Sequence, residues 1–253
     1  MLKRSSSYVE SSSLHSIMLH LTQANVISTS ITTTGCDLNT GDKDMDYLTD
    51  ATQNKYVLAG RDSKVDTNVA TASSVIGSIL GVIQAHNNDI SNLTFTVQGC
   101  GKVGRNVASE LVRLGAKAVQ TCDLYPELAK VEGCTPIEDW TRTACDFLVP
   151  CANSLAITEE VAGSFPGGVK YCVGAANSPF ANAEAQSIFD GRGVMHVPES
   201  ISSAGAILAD SVEVRRFFDV KPRGISYYAS KYFSLTFSCV FFCSGLISTC
   251  IRR

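Results

Sequence analysis

Three glycines, Gly99, Gly101 and Gly104, are spaced G-x-G-x-x-G, with Cys100, Lys102 and Val103 between them and Asp123 downstream. Glycines at this spacing suit one task, which is holding a pyrophosphate against bare backbone. The first allows a tight turn, the second lets the main chain approach the phosphates, and the third lets helix and strand pack closely. A helix opening at such a turn offers unpaired N–H groups and the positive end of its dipole. A carboxylate at the end of the following strand can accept hydrogen bonds from ribose hydroxyls, which favours NAD over its 2′-phosphorylated form. Asp123 lies slightly beyond the usual separation of about 20 residues, so its register could shift by one. A glycine-rich turn in an unrelated α/β protein is the competing explanation.

The neighbouring residues supply the elements this chemistry needs. Thr94 to Gln98 is a short apolar, β-branched run, as a buried parallel strand should be. Val103, Val107, Leu111 and Leu114 then recur at helical spacing, and Gly115 is placed to end that helix. A second strand closes on Asp123. Upstream, residues 25–34 form a β-branched run, followed by a loop and a short helix, and residues 66–85 read as a longer helix. Its apolar stripe is Val69, Ala72, Ile76, Ile79, Leu80 and Ile83, with Asp66, Thr67 or Asn68 as its cap.

Downstream, Thr135-Pro136-Ile137-Glu138 has the form of a capping box with proline at the first helical position. Strands are expected at 145–149, 169–173 and 194–197, and helices at 180–190, closed by Gly191, and 204–218. Strand and helix in alternation define an α/β class with a Rossmann-like, doubly wound, mostly parallel sheet. Ligands of such sheets bind beyond the carboxyl ends of the strands. Gly99, Asp123, Pro150-Cys151-Ala152 and Ala175-Ala176-Asn177 all fall there; tight αβ connections without a ligand are the alternative.

Composition narrows the remaining choices. A chain of 253 residues can bury a sizeable core. A net charge of −3 gives no basic surface for nucleic acid. The 10 cysteines are scattered without a C-x-x-C pair, as expected of reduced thiols acting as small hydrophobes inside a cell. The four histidines lack metal-ligand spacing, so no metal is expected. Residues 1–33 are serine-rich, with Lys3 and Arg4 near the start; the bland reading is a disordered segment, the other an organellar transit peptide. Residues 34–220 carry the nucleotide-binding domain. Residues 221–253 form a hydrophobic tail in which Tyr232 to Ile251 has no charge. That length could span a bilayer, although Ser and Thr recur in it.

Taken in order, TTGCDLNT, VATASSV, VQGCGKVG, VPCANS, VGAANS and VPESISSAGAI resemble the glutamate/leucine/phenylalanine/valine dehydrogenases, nearest the leucine and phenylalanine branch, over residues 34–213. The resemblance implies NAD-dependent oxidative deamination of an L-amino acid, of leucine, valine or phenylalanine type, to its 2-oxo acid. It makes Asp37 the acid–base residue at the substrate amine, a role a carboxylate in a closed cleft can fill. It places Thr71 near the nicotinamide, and Gly99, Gly101, Gly104 and Asp123 on the pyrophosphate and ribose. Cys151 and Ala152 fall beside the adenosine half, and Ala176 and Asn177 at the nicotinamide ribose. Family members carry a substrate domain with a G-G-G-K segment; none occurs here, and Ser203-Ala204-Gly205-Ala206 stands where the family has N-A-G-G. The substrate domain is therefore expected to be missing. This chain is then a fragment with little turnover of its own, half of an enzyme completed by a separate chain, or a non-catalytic NAD-binding or oligomerisation module. A small-molecule amino acid, a homo-oligomer and a cytoplasmic location (alternatively mitochondrial or plastid) are the expectations that go with it.

Overall fold

A computed structural model of the protein describes residues 40–52, 61, 63 and 66–214. The expected strand at 25–34, the Asp37 site, the serine-rich start and the hydrophobic tail lie outside the described residues. The described residues form two compact units, one within 40–66 and 210–214, the other Thr67–Ala209.

The smaller unit contains helix α1 (Asp42–Thr52), with Asp42 and Asp44 in its first turn, where negative charge complements the helix dipole. Met45 and Leu48 are buried, and Arg61 pairs with Asp50 while its backbone N–H donates to Asp46.

The larger unit opens with α2 (Thr67–Ala85), the expected helix one residue shorter. It is buried far beyond one stripe, at Ser74, Val75, Gly77, Ser78, Gly81 and Val82 as well as Ala72, Ile76, Ile79 and Ile83, whereas Val69 is exposed. A helix apolar on most sides belongs in a core. This one is long and apolar enough to cross a membrane, yet it packs into the main core cluster. A 3-10 turn, Ile90–Asn92, capped by Asp89 accepting from Ser91 N, delivers the chain to the sheet.

That sheet has six parallel strands in the order β3-β2-β1-β4-β5-β6: β1 (Thr94–Gln98), β2 (Ala118–Cys122), β3 (Thr135–Pro136), β4 (Phe147–Pro150), β5 (Tyr171–Cys172) and β6 (Met195–His196). Side chains alternate between its faces. Phe95, Val97, Phe147, Val149, Tyr171 and Val173 join α2 and the helix α3 (Lys102–Arg113) in one cluster. Leu148 and Cys172 join Ala162 of α4 (Glu159–Ser164) and Phe189 of α5 (Ala183–Gly191) in the other. Phe95 and Phe147 are fully buried and stacked with centroids 4.9 Å apart; burying each such ring stabilises the fold by about 1.5–3 kcal/mol. Helices α6 (Glu199–Ser202) and α7 (Gly205–Val214) complete the described chain.

Two local expectations are corrected. The capping-box residues Thr135 and Pro136 are strand, not helix, and pair with Gln120 and Thr121. Proline is tolerated there because β3 is the edge strand, and the next residue, Ile137, donates to Thr121 O at 2.8 Å. Helix α5 begins at Ala183, three residues late, because Asn182 caps it by accepting from Ala185 N at 2.8 Å. It ends at Gly191, as expected, and Gly193 at φ +75° carries the left-handed turn two residues beyond. The expected strands at 145–149, 169–173 and 194–197 are present but shorter.

Candidate functional site

The glycine turn joins β1 to α3, as its spacing predicts. Gly99 has φ +91°, and a Cβ there would lie 2.5 Å from the Ala152 Cβ and 2.7 Å from the Ala152 N. A Cβ at Gly104 would overlap the Gly99 carbonyl and come within 3.1 Å of Cys151 Cβ. Both positions exclude any larger residue on steric grounds. Gly101 is the opposite case: it is exposed, a Cβ would meet nothing within 4 Å, and it caps α3 without a side-chain hydrogen bond. Crowding on the protein side and open space on the solvent side are what a backbone cradle for an anion requires. Gly115, at φ +82°, ends the helix, with Ala116 N donating to Leu111 O at 3.1 Å.

The turn is tied to both neighbouring strands. Gly99 N donates to Cys122 O at 2.8 Å, and Cys100 N donates to Asp123 Oδ2 at 2.6 Å. The other Asp123 oxygen accepts from Tyr125 N at 3.0 Å. On the other side Cys151 N donates to Gln98 O at 2.7 Å. Asp123 therefore stands directly after β2, beside the turn, with its carboxylate half-buried.

Beyond Pro150 the site is built from backbone. The Pro150 carbonyl accepts from Ala175 N at 2.8 Å and Ala176 N at 3.0 Å, which folds the loop after β5 against the end of β4. Asn177 is exposed on that loop, and Ser178 takes φ +47°. Leu155, at φ +60°, donates its N–H to Ser178 O at 2.8 Å. Thr71 lies in the first turns of α2, where its hydroxyl donates to Thr67 O.

The structure thus brings Gly99, Cys100, Gly104, Asp123, Cys151 and Ala152 into one cluster and links it through Pro150 to Ala176 and its neighbour Asn177. Lys102 is exposed at the helix start, and Val103 packs against the core. Among the described residues, the cysteines nearest the turn, Cys100 and Cys151, are held as neutral thiols. Cys100, Cys122, Cys134, Cys145, Cys151 and Cys172 are free thiols. Burial first, and nearby Asp123 second, push Cys100 up to about 12, and burial pushes Cys151 up to about 12. No group of three or more metal-binding side chains occurs among the described residues.

Sequence reasoning missed two buried serines. Ser74 Oγ lies 2.7 Å from Ser202 O and 2.9 Å from Thr71 O, and Ser202 Oγ donates to Gly174 O at 2.6 Å. The only local sign of Ser74 is its place inside the apolar face of α2, next to Val75 and Ile76.

A parallel sheet of order β3-β2-β1-β4-β5-β6 with a glycine turn at its centre defines the protein as a Rossmann-like α/β domain. Residues 122–218 match the family model Glutamate/Leucine/Phenylalanine/Valine dehydrogenase. The chain is 26% identical over 156 residues to phenylalanine dehydrogenase of Lysinibacillus sphaericus, covering 56% of this chain and 40% of that one. It is 30% identical over 166 residues to NAD-specific glutamate dehydrogenase of Staphylococcus aureus (strain COL), covering 56% and 39%. Its fold is similar to the hetero-hexameric glutamate dehydrogenase of Thermus thermophilus, with a TM-score of 0.73 at 19% identity, over 93% of this chain and 63% of that one. It is likewise similar to L-tryptophan dehydrogenase of Nostoc punctiforme, with a TM-score of 0.64 at 19% identity, over 91% and 65%. Over these residues the chain is similar to the amino-acid dehydrogenases of the glutamate/leucine/phenylalanine/valine family, and its fold is theirs. The match spans only 40% and 39% of the length of the two sequence relatives.

Proposed function

We propose that this chain binds NAD and forms the cofactor half of an enzyme that oxidatively deaminates an L-amino acid of leucine, valine or phenylalanine type to its 2-oxo acid. The observation that carries the reading is the turn itself. Gly99 and Gly104 are crowded by the protein, while Gly101 faces open space at the uncapped start of α3. Bound NAD would supply the hydride acceptor for the substrate carbon. The chain's own part is to hold and orient it. The backbone of the turn and the dipole of α3 receive the pyrophosphate. Asp123 accepts from ribose hydroxyls and repels a 2′-phosphate, which supports NAD over NADP. Ala152, Ala176 and Asn177 border the site with small or amide side chains, and Thr71 lies toward the nicotinamide. Asp37, outside the described residues, takes the role of proton acceptor at the substrate amine. The remaining substrate contacts come from a substrate domain, and the partner is either a separate chain that carries it or further copies in a homo-oligomer.

Titration of the full chain with NADH, followed by fluorescence or calorimetry, tests the reading. Binding is expected, and absence of binding overturns it. Gly101→Val should keep the wild-type melting temperature, because its side chain enters open space, yet weaken NADH binding more than about tenfold by blocking the phosphates.

One observation favours a second reading, a non-catalytic NAD-binding module. Ser203 stands where the family pattern has asparagine, and its hydroxyl is turned back onto Glu199 O at 2.7 Å. Supplying a separate family substrate domain with an L-amino acid and NAD separates the two. Appearance of 2-oxo acid removes the second reading; NAD binding without product removes the first.

A further inference from the structure

We infer that Ser74 and Ser202 are positioning residues for the nicotinamide half of the dinucleotide site, through a buried chain of hydrogen bonds that joins α2, the loop after β5 and the α6–α7 turn. The inference rests on the NAD-binding reading above and adds residues to it that neither the glycine motif nor the family match singles out.

Ser74 Oγ presents one proton to two carbonyls, Ser202 O at 2.7 Å and Thr71 O at 2.9 Å, and accepts from Gly205 N at 3.1 Å. Ser202 Oγ donates to Gly174 O at 2.6 Å. Ser202 is fully buried and Ser74 nearly so. The residues so joined are far apart in the chain, and each bears on one segment of the site. Thr71 is the α2 residue that the family resemblance assigns to the nicotinamide side. Gly174 opens the loop that carries Ala175, Ala176 and Asn177. Gly205 belongs to the segment that replaces the family's N-A-G-G. The packing around the chain leaves no slack. A Cβ at Gly174 would overlap the Pro150 carbonyl, and one at Gly205 would overlap the Ala70 carbonyl and lie 2.9 Å from Ser74 Oγ. Three backbone segments are thus held in register by two hydroxyls, because a buried carbonyl or N–H that loses its partner pays its full desolvation cost.

The glycine turn and Asp123 have no bond to either serine. Their ties run to Cys122, Asp123 and Gln98 instead. Loss of a hydroxyl should therefore loosen one half of the site and leave the other in place.

Ser74→Ala and Ser202→Ala, each in the full chain, are to be titrated with two probes, NADH and ADP. ADP fills only the adenosine, ribose and pyrophosphate positions. Expected is NADH binding weakened by about three- to tenfold in each variant, the factor one buried hydrogen bond gives, with ADP binding within about twofold of wild type. The double variant should lose less than the product of the two, since both hydroxyls serve one network. Unchanged NADH affinity in both variants overturns the inference, as does an equal loss for both probes, which would mark a purely structural role. Failure of the wild-type chain to bind either probe overturns the NAD reading and this inference with it.

Discussion

The two halves of the sheet reach a common edge by different means. On the β1–β2 side the strands are five residues long and pair in continuous register from Thr94 with Ala118 to Gln98 with Cys122. The turn at their end is shaped by Gly99 and Gly104, where any side chain would meet the backbone or Ala152. On the β4–β5–β6 side, β5 and β6 are two residues each, and single bonds past the strand ends extend the ladder, such as Val173 N to Leu148 O and Val197 N to Cys172 O, both 3.0 Å. There Leu155 and Ser178 hold positive φ without being glycine. One half is shaped by what is absent from its side chains, the other by bonds that converge from distant parts of the chain. Substitutions should therefore fail abruptly in the first half and in graded steps in the second.

The sharpest break is Gly104→Ala, whose new methyl would overlap the Gly99 carbonyl. We expect a loss of about 3 kcal/mol in urea unfolding together with loss of NADH binding. A milder change tests the second half. Burial pushes the Asp146 carboxyl up, but hydrogen bonds from Thr94 N, Lys170 and Thr94 Oγ1 outweigh it and hold the group below the usual carboxylate range. Asp146→Ala leaves Thr94 N–H without its acceptor and should cost about 1–2 kcal/mol at neutral pH. Because the folded value is depressed, this contribution is present above the ordinary aspartate value and fades as pH falls through the folded one. The difference between wild type and variant should shrink correspondingly in acid.

His196 gives a smaller effect, visible as a slope. Burial holds it below its ordinary value, against the opposing pull of Glu199 and Asp190. Its ring lies edge-on to Phe180 with centroids 4.9 Å apart. The unfolded chain then takes up the proton first, so stability should be full above about pH 6.5 and decline below it. Unfolding measured from pH 7.5 to 5.5 should show that decline in wild type and a flatter profile in His196→Gln. Smallest is a gain. Leu155→Asn removes a bulky side chain from a left-handed position and should stabilise the protein by about 0.5–1 kcal/mol, read from the shift in urea midpoint. If it destabilises instead, packing of the half-exposed leucine matters more than backbone strain, and the contrast between the halves is weaker than described.

The same contrast explains what could be read from the residues alone. Gly99, Gly101, Gly104, Gly115 and Asp123 occupy the turn, helix cap and strand end that their order implies, because each acts within a few residues of itself. Thr135 to Glu138 misled for the matching reason. Its capping-box pattern is local, and the pairing with Gln120 and Thr121 that overrides it is not. Gly191 ends α5 as its place implies, while the positive φ that turns the chain falls two residues later, at Gly193, which local spacing does not separate from Gly191. Ser74 and Ser202 were invisible, since a serine bonded across 128 residues looks like any other helical serine.

The apolar character of α2 has a consequence for how the chain is made. Among the described residues, its 19 residues precede every strand and the helix α3 that packs against them. Once α2 has left the ribosome and until β1 and α3 have followed it out, an apolar helix lacks the sheet that covers it in the folded protein and can stick to chaperones or other nascent chains. The rate at which β1 and α3 follow it therefore governs how much protein is lost before the sheet can close over it.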